Sequence, residues 1–293
     1  MMAAPERLSH ADVEGLRVGR FGGKINTTCI LWRIGDTLID TGPPSEWRRV
    51  LRFAAERPVR RVVVTHHHED HAGNLARLAA EAAGPDGRTV EILAPRESLE
   101  PLAEGFPLQL YRRVIWGRPA RVRAAPLPRA VELAAGGELL PVLLPGHSPD
   151  MTCFVEPRRR VLLSADLYVA RHQRYLRADE SLGGILDSLR RALHLDFDTL
   201  LCAHRGVVKD GKARLRQKLE YFEQLCGRAA QLAAGGLEVA GITRRLLGPE
   251  DSVSRISLMH YSKRNLIRGC LEAAGGAGRG PETSRRHAGP PGP

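Results

Sequence analysis

Thr65-His66-His67-His68-Glu69-Asp70-His71-Ala72-Gly73-Asn74 gathers four histidines and two carboxylates into six consecutive residues, directly behind the apolar run 62–64. Imidazole and carboxylate are the usual protein ligands of zinc and related divalent ions. A segment leaving a strand sends residues i and i+2 to the same side, so His66 and His68 are expected to reach one ion together, with His67 pointing away. Asp70 and His71, at the start of a helix expected over 70–83, can turn toward a second ion. A solvated loop or a tag would also be rich in histidine, but neither sits between an apolar strand and an Ala/Leu-rich helix.

Further ligands are expected where later strands end, and the chain supplies three metal-capable residues in order. His147 closes the run 140–146, Asp166 closes 161–165 and His204 closes 199–203. One such residue would be a turn aspartate or a capping histidine. Three in series behind the first loop point to a site built along strand ends.

On these residues the chain resembles the metallo-β-lactamase fold superfamily, through the His-x-His-x-Asp-His signature at His66, His68, Asp70 and His71. The likeness extends to the Leu-Ile-Asp-Thr-Gly string at 38–42 and to the Gly-His-Ser-Pro, Ser-Ala-Asp and Ala-His segments, over roughly residues 18–210. It implies His66, His68 and His147 on a first metal, Asp70, His71 and His204 on a second, and Asp166 bridging both. It also implies that Asp40 hydrogen-bonds beside the metal loop; a turn aspartate before Thr41-Gly42 is the equal alternative. The implied fold is α/β, an αββα four-layer sandwich with a small helical, winged-helix-like C-terminal appendage. Periodicity alone would also admit a doubly wound parallel sheet.

The implied chemistry is metal-assisted hydrolysis by two divalent ions, Zn2+ by default, with Mn or Fe accepted by the same donors. The pair would lower the pKa of a shared water, with Asp70 as the catalytic carboxylate that orients it and moves a proton. The favoured substrate is a small anionic ester or thioester, as in the glyoxalase II-like hydrolases, whose metal-loop string is close to this one. Alternatives are a short lactamase-β-2-like endoribonuclease, a lactonase, or a mononuclear iron persulfide dioxygenase. RNA is thus a possible partner, supported by the stretch 203–212, and a non-catalytic binding module is the least favoured reading.

The 293 residues suit a catalytic domain over 1–210, a helical subdomain over 211–274 and a disordered Gly/Pro/Arg-rich tail over 275–293. The helical signal is clearest where Leu215, Leu219, Phe222 and Leu225 recur at spacings of three and four. Helices are expected over 211–227, 229–234 and 257–271. The five cysteines form no Cys-x-x-Cys pair and read as buried free thiols in a reducing cytoplasm, without a role in zinc ligation. No apolar run approaches a membrane span and no signal-peptide core opens the chain, so a cytoplasmic protein without a membrane partner is expected. The formal charge of +11 fits either an anionic partner or an arginine-rich composition. Two segments are candidates for the substrate pocket. Residues 106–123 interleave aromatics with arginine and could equally form an amphipathic lid, and 167–177 carry Tyr168, Arg171, His172, Arg174 and Tyr175.

Overall fold

The computed structural model describes residues 6–20, 27–81 and 89–276. Seven strands form the first sheet in chain order: β1 (Glu6–His10), β2 (Val13–Val18), β3 (Cys29–Ile34), β4 (Thr37–Ile39), β5 (Arg61–Val63), β6 (Glu91–Ala94) and β7 (Ala125–Pro126). Pairing is antiparallel from β1 to β4 and parallel from β4 to β7. The second sheet comprises β8 (Val131–Glu132), β9 (Glu138–Leu143), β10 (Thr152–Glu156), β11 (Val161–Ala165), β13 (Thr199–Cys202) and β14 (Gly206–Val208), in the order β14-β13-β11-β10-β9-β8. A two-stranded ribbon joins β12 (Leu176–Arg177) to β15 (Tyr261–Ser262).

Strand alternation assigns neighbouring residues to different cores. On β3, Ile30, Trp32 and Ile34 face the second sheet and pack with Phe154, Val161, Leu163 and Leu201. Leu31 faces the other way, where Val50 and Phe53 of α1 (Trp47–Ala55) and Leu75 and Leu78 of α2 (Leu75–Glu81) cover the first sheet. On the second sheet Leu162, Leu200 and Cys202 turn outward onto α5 (Leu182–Leu193). The same cluster takes in Leu215, Phe222, Leu266 and Ile267 from the long C-terminal helices. Because both faces of each sheet are covered, β3, β10 and β11 are buried at every residue. The result is the αββα sandwich. Phe154 is fully buried between the sheets, a position where truncation to Ala costs about 3–5 kcal/mol.

Several elements differ from expectation. The helix expected from residue 70 begins at Leu75; residues 70–74 form a turn because Asn74 hydrogen-bonds the carbonyls of Thr41, Gly42 and Pro43. Its expected end, at 82–83, lies outside the described residues. Segment 106–123 contributes only a short helix, α4 (Leu110–Ile115), after α3 (Leu99–Glu104). Residues 211–227 and 229–234 form one helix, α6 (Gly211–Ala234). It is followed by α7 (Val239–Leu247) and α8 (Ser252–Ile256). The last helix, α9 (Lys263–Gly276), starts later than expected, since Tyr261 and Ser262 are extended and pair with Arg177 and Leu176. The C-terminal helical region is thus present, and α6 and α9 share the second sheet's outer core. The tail beyond residue 276 lies outside the described residues. No helix among the described residues is long and apolar enough to cross a membrane.

Candidate metal centre

Four chain segments deliver polar groups to one edge of the sandwich. The metal loop leaves β5 and is pinned to the loop after β4: Thr41 N and Oγ1 both donate to the His71 carbonyl, at 2.7 and 2.8 Å. Gly73 passes so close to this loop that a Cβ would lie 2.3 Å from the Glu69 carbonyl and 2.6 Å from that of Gly42, so only glycine fits. His147 follows β9, Asp166 follows β11 and His204 follows β13. A bulge between Leu163 and Ala165 breaks the β11–β13 register, and Ala165 has φ +42°, a strained conformation for a residue with a Cβ. That local distortion presents Asp166.

The Asp166 carboxylate lies among the histidines. Its Oδ2 is 3.1 Å from His147 Nε2, while Oδ1 is 3.0 Å from His204 Nε2 and 3.3 Å from His71 Nε2. Asp70 Oδ2 lies 3.8 Å from His71 Nε2 and 3.9 Å from His204 Nε2. His68 Nδ1 is 3.0 Å from His147 Nε2. Ligand atoms of His66, His68 and His147 lie within 4.8 Å of one another, as do those of His66, His71 and Asp166. The structure therefore brings together His66, His68, Asp70, His71, His147, Asp166 and His204, all buried.

These groups fit divalent ions. His66 Nε2 and His71 Nε2 are buried without a hydrogen-bond partner, a costly arrangement unless something else satisfies them. The other ring nitrogens are occupied, which fixes each ring's aim. His66 Nδ1 meets Thr65 Oγ1 at 2.9 Å, His71 Nδ1 meets Asp40 Oδ2 at 2.7 Å, His147 Nδ1 meets Glu180 Oε1 at 2.7 Å and His204 Nδ1 meets the Thr28 carbonyl at 2.7 Å. Burial, reinforced for His66 by His71 and for His68 by Arg177, pushes both imidazoles well below their ordinary pKa, leaving neutral rings with a lone pair to give. Burial alone would raise Asp166, but His204, His147 and His71 outweigh it and hold the carboxylate ionised.

This arrangement and the fold settle the family. A model of the metallo-beta-lactamase superfamily matches residues 34–204. The chain belongs to the metallo-beta-lactamase superfamily. It is a superfamily hydrolase with a His/Asp metal-binding cluster. An uncharacterised protein of Aquifex aeolicus is 29% identical over 189 residues, 60% of this chain and 82% of that protein. A beta-lactamase domain protein from Burkholderia ambifaria superposes with TM-score 0.70 at 19% identity, over 94% of this chain and 90% of that one. A metallo-beta-lactamase family protein of Thermus thermophilus superposes with TM-score 0.65 at 19% identity, over 93% and 97%. At such identities the superpositions show the fold.

Asp40 is more than a turn residue in this metallo-beta-lactamase fold. It has φ +62°, a conformation aspartate tolerates better than most residues, and it accepts from Thr65 N at 2.8 Å and Thr65 Oγ1 at 2.9 Å besides meeting His71. Glu180 and Arg177 escaped the sequence reading. Arg177 donates to the His147 carbonyl at 2.9 Å and to Asp179 Oδ1 at 2.8 Å, and its NH2 lies 3.3 Å from His68 Nε2. No spacing rule marks either residue; the β12–β15 ribbon brings them in. Glu69 forms a buried bidentate pair with Arg112, at 2.7 and 2.6 Å, tying α4 to the metal loop. Tyr111 of α4 in turn meets His260 Nδ1 at 3.0 Å. Cys29 is buried as expected, but its sulfur lies within 4.8 Å of ligand atoms of Asp70 and His71, closer to the centre than a packing thiol needs to be.

The 167–177 segment divides. His172 stacks on Tyr221 at 4.9 Å, Arg174 donates to the Leu247 carbonyl at 2.6 Å and Tyr175 donates to Asp251 Oδ2 at 2.5 Å, so these three hold the C-terminal helices. Tyr168 and Arg171 instead line a separate cleft with residues of β14 and α6.

Proposed function

We propose that this protein is a binuclear metal-dependent hydrolase acting on a small anionic ester or thioester, in the manner of the glyoxalase II-like members of its superfamily. One observation carries the two-ion reading: the oxygens of Asp166 face different histidine sets, Oδ2 toward His147 and Oδ1 toward His71 and His204. His66, His68 and His147 would hold the first ion, and Asp70, His71 and His204 the second. Zn2+ is the expected ion for these borderline donors, with Mn and Fe admitted. When bound, such ions supply Lewis acidity and a water acidified toward neutral pH.

The chain's own groups do the rest. Asp70 would take a proton on a carboxylate oxygen and deliver it to the leaving group. Asp40, Glu180 and the Thr28 carbonyl hold the rings of His71, His147 and His204 against rotation. If His68 offers Nδ1 to an ion, its Nε2 carries the proton and cannot accept from Arg177. A hydrogen of Arg177 Nη2, whose nitrogen lies 3.3 Å from His68 Nε2, is then available to an anionic group. This placement favours a carboxylate- or phosphate-bearing substrate. The second reading, a single-strand endoribonuclease, draws on the exposed cations Arg205 and Lys209 that follow His204.

The test is turnover by metal-replete protein on a panel of esters, thioesters and lactones, set beside single-stranded RNA. We expect thioester or ester hydrolysis that falls by several orders of magnitude in His68→Ala and Asp70→Ala. Cleavage of RNA with an inert ester panel would replace this reading with the second.

A further inference from the structure

The walls of a cleft of about 520 Å³ carry four cations, Arg171, Arg205, Lys209 and Arg214, together with Tyr168. Tyr168 is two residues past Asp166 and Arg205 directly follows His204. Successive Cα atoms are ~3.8 Å apart, so the Cα atoms of Tyr168 and Arg205 lie within about 8 Å of those of Asp166 and His204. Several other surface arginines of the chain are paired: Arg160 with Asp196 and Asp198, Arg190 with Asp187 and Glu223, Arg159 with Asp12 and Glu156. Among the described residues no carboxylate forms an ion pair with any of the four cations of the cleft. The one hydrogen bond given to their charged groups is from Arg205 Nε to the Val169 carbonyl at 2.7 Å, which orients that guanidinium and leaves its other donors unused.

The convergence is electrostatic as well as spatial. One helical turn beyond Arg214, the buried Lys218 donates to the carbonyls of Leu167 and Tyr168 at 2.8 and 2.9 Å, so a fifth cation supports the loop from beneath. Four like charges in one concavity repel one another unless a multiply charged anion sits among them. A phosphate group offers several acceptor oxygens and matches guanidinium forks in pairs.

We propose that this cleft is a binding site for a phosphate-bearing small molecule, taking a diphosphate or bisphosphate group alongside the metal centre. The inference rests on the hydrolase reading only in making that group the anionic end of the substrate; the site itself stands on the cleft's charges. Adenosine 3′,5′-bisphosphate is the probe, with adenosine as its uncharged counterpart, titrated calorimetrically into the metal-replete full-length protein. Arg171→Ala and Arg214→Ala change exposed side chains, and each is expected to weaken binding roughly tenfold, the loss of one charge-assisted contact. Arg52→Ala on α1, which removes the same charge elsewhere, should leave bisphosphate affinity unchanged. Equal affinity for adenosine, unaltered binding in the Arg171/Arg214 double variant, or an equal loss of binding in Arg52→Ala would each overturn the proposal. Tight binding of a single-stranded oligoribonucleotide with none of the bisphosphate would overturn it in favour of an RNA surface. Bisphosphate binding without ester or thioester turnover would leave the site standing and sink the hydrolase reading instead.

Discussion

Asp40 Oδ2 lies 2.7 Å from His71 Nδ1, and the same carboxylate accepts from the backbone and hydroxyl of Thr65 at the mouth of the metal loop. One side chain thus fixes both the ring of a candidate ligand and the strand end that launches two others. Asp40→Asn keeps the size and tolerates the left-handed backbone, but removes the negative charge facing the His71 N–H. We expect metal affinity to fall about 10–100-fold with the fold retained. Competition with a chelator measures this; unchanged retention would mean His71 needs no such partner.

His67 points away from the ligand set, as its alternation requires, but it is not idle. Its ring meets Asp150 Oδ2 at 2.7 Å, and the same oxygen accepts from His67 N at 2.8 Å and Ser98 Oγ at 2.7 Å. Burial would raise Asp150, yet its hydrogen bond to His67 outweighs this and holds it far below the ordinary carboxylate range. His67→Ala should therefore cost about 1–3 kcal/mol of stability while metal content stays at the wild-type level. Denaturant unfolding and elemental analysis together separate this outcome from loss of a ligand.

Asp166 faces both histidine sets, so its removal should affect both ions. Elemental analysis of replete protein is expected to give close to two divalent ions per chain, and markedly fewer for Asp166→Ala. A replete wild-type protein holding no more than one ion would falsify the binuclear reading.

Lys218 gives a pH signature. Burial lowers its amine to about 8, against an ordinary value of 10.5, with nearby Cys202, Glu180 and Asp166 opposing the drop. Between these two values the unfolded chain binds the proton that the folded chain has released. Stability therefore rises with pH across this window, and below about 8 the folded state carries the full cost of a buried charge. Lys218→Met removes that dependence. The wild-type protein should gain on the variant by up to about 3 kcal/mol as pH rises from 8 to 10.5. Urea titrations at both ends of the range check the sign; a gain in the opposite direction would show that Lys218 is stabilised as a cation.

The seven candidate ligands were legible because they are local. His66, His68, Asp70 and His71 sit within one loop, and His147, Asp166 and His204 each stand where an apolar run stops. A strand in a sheet covered on both faces is largely apolar until it emerges, so the first metal-capable residue after the run marks the sheet edge. Strand alternation likewise separated His67 from His66 and His68. The amphipathic spacing of Leu215, Leu219, Phe222 and Leu225 gave α6 its buried face, although one continuous helix replaced the two expected.

What only the tertiary structure decided is the set of groups that aim these ligands. The Thr28 carbonyl reaches His204 across 176 positions of chain, and Asp40 reaches His71 across 31. Glu180 and Arg177 arrive at His147 because β12 pairs with β15 from the C-terminal region, a contact no local pattern encodes. The same packing drew His172, Arg174 and Tyr175 onto the C-terminal helices and left Tyr168 and Arg171 beside the cations that flank β14, Arg205 and Lys209, and Arg214 on α6. Residue type and spacing establish which side chains can hold a metal. Which nitrogen faces it, and what anion lies nearby, follow from long-range packing, where the partners share no periodicity along the chain.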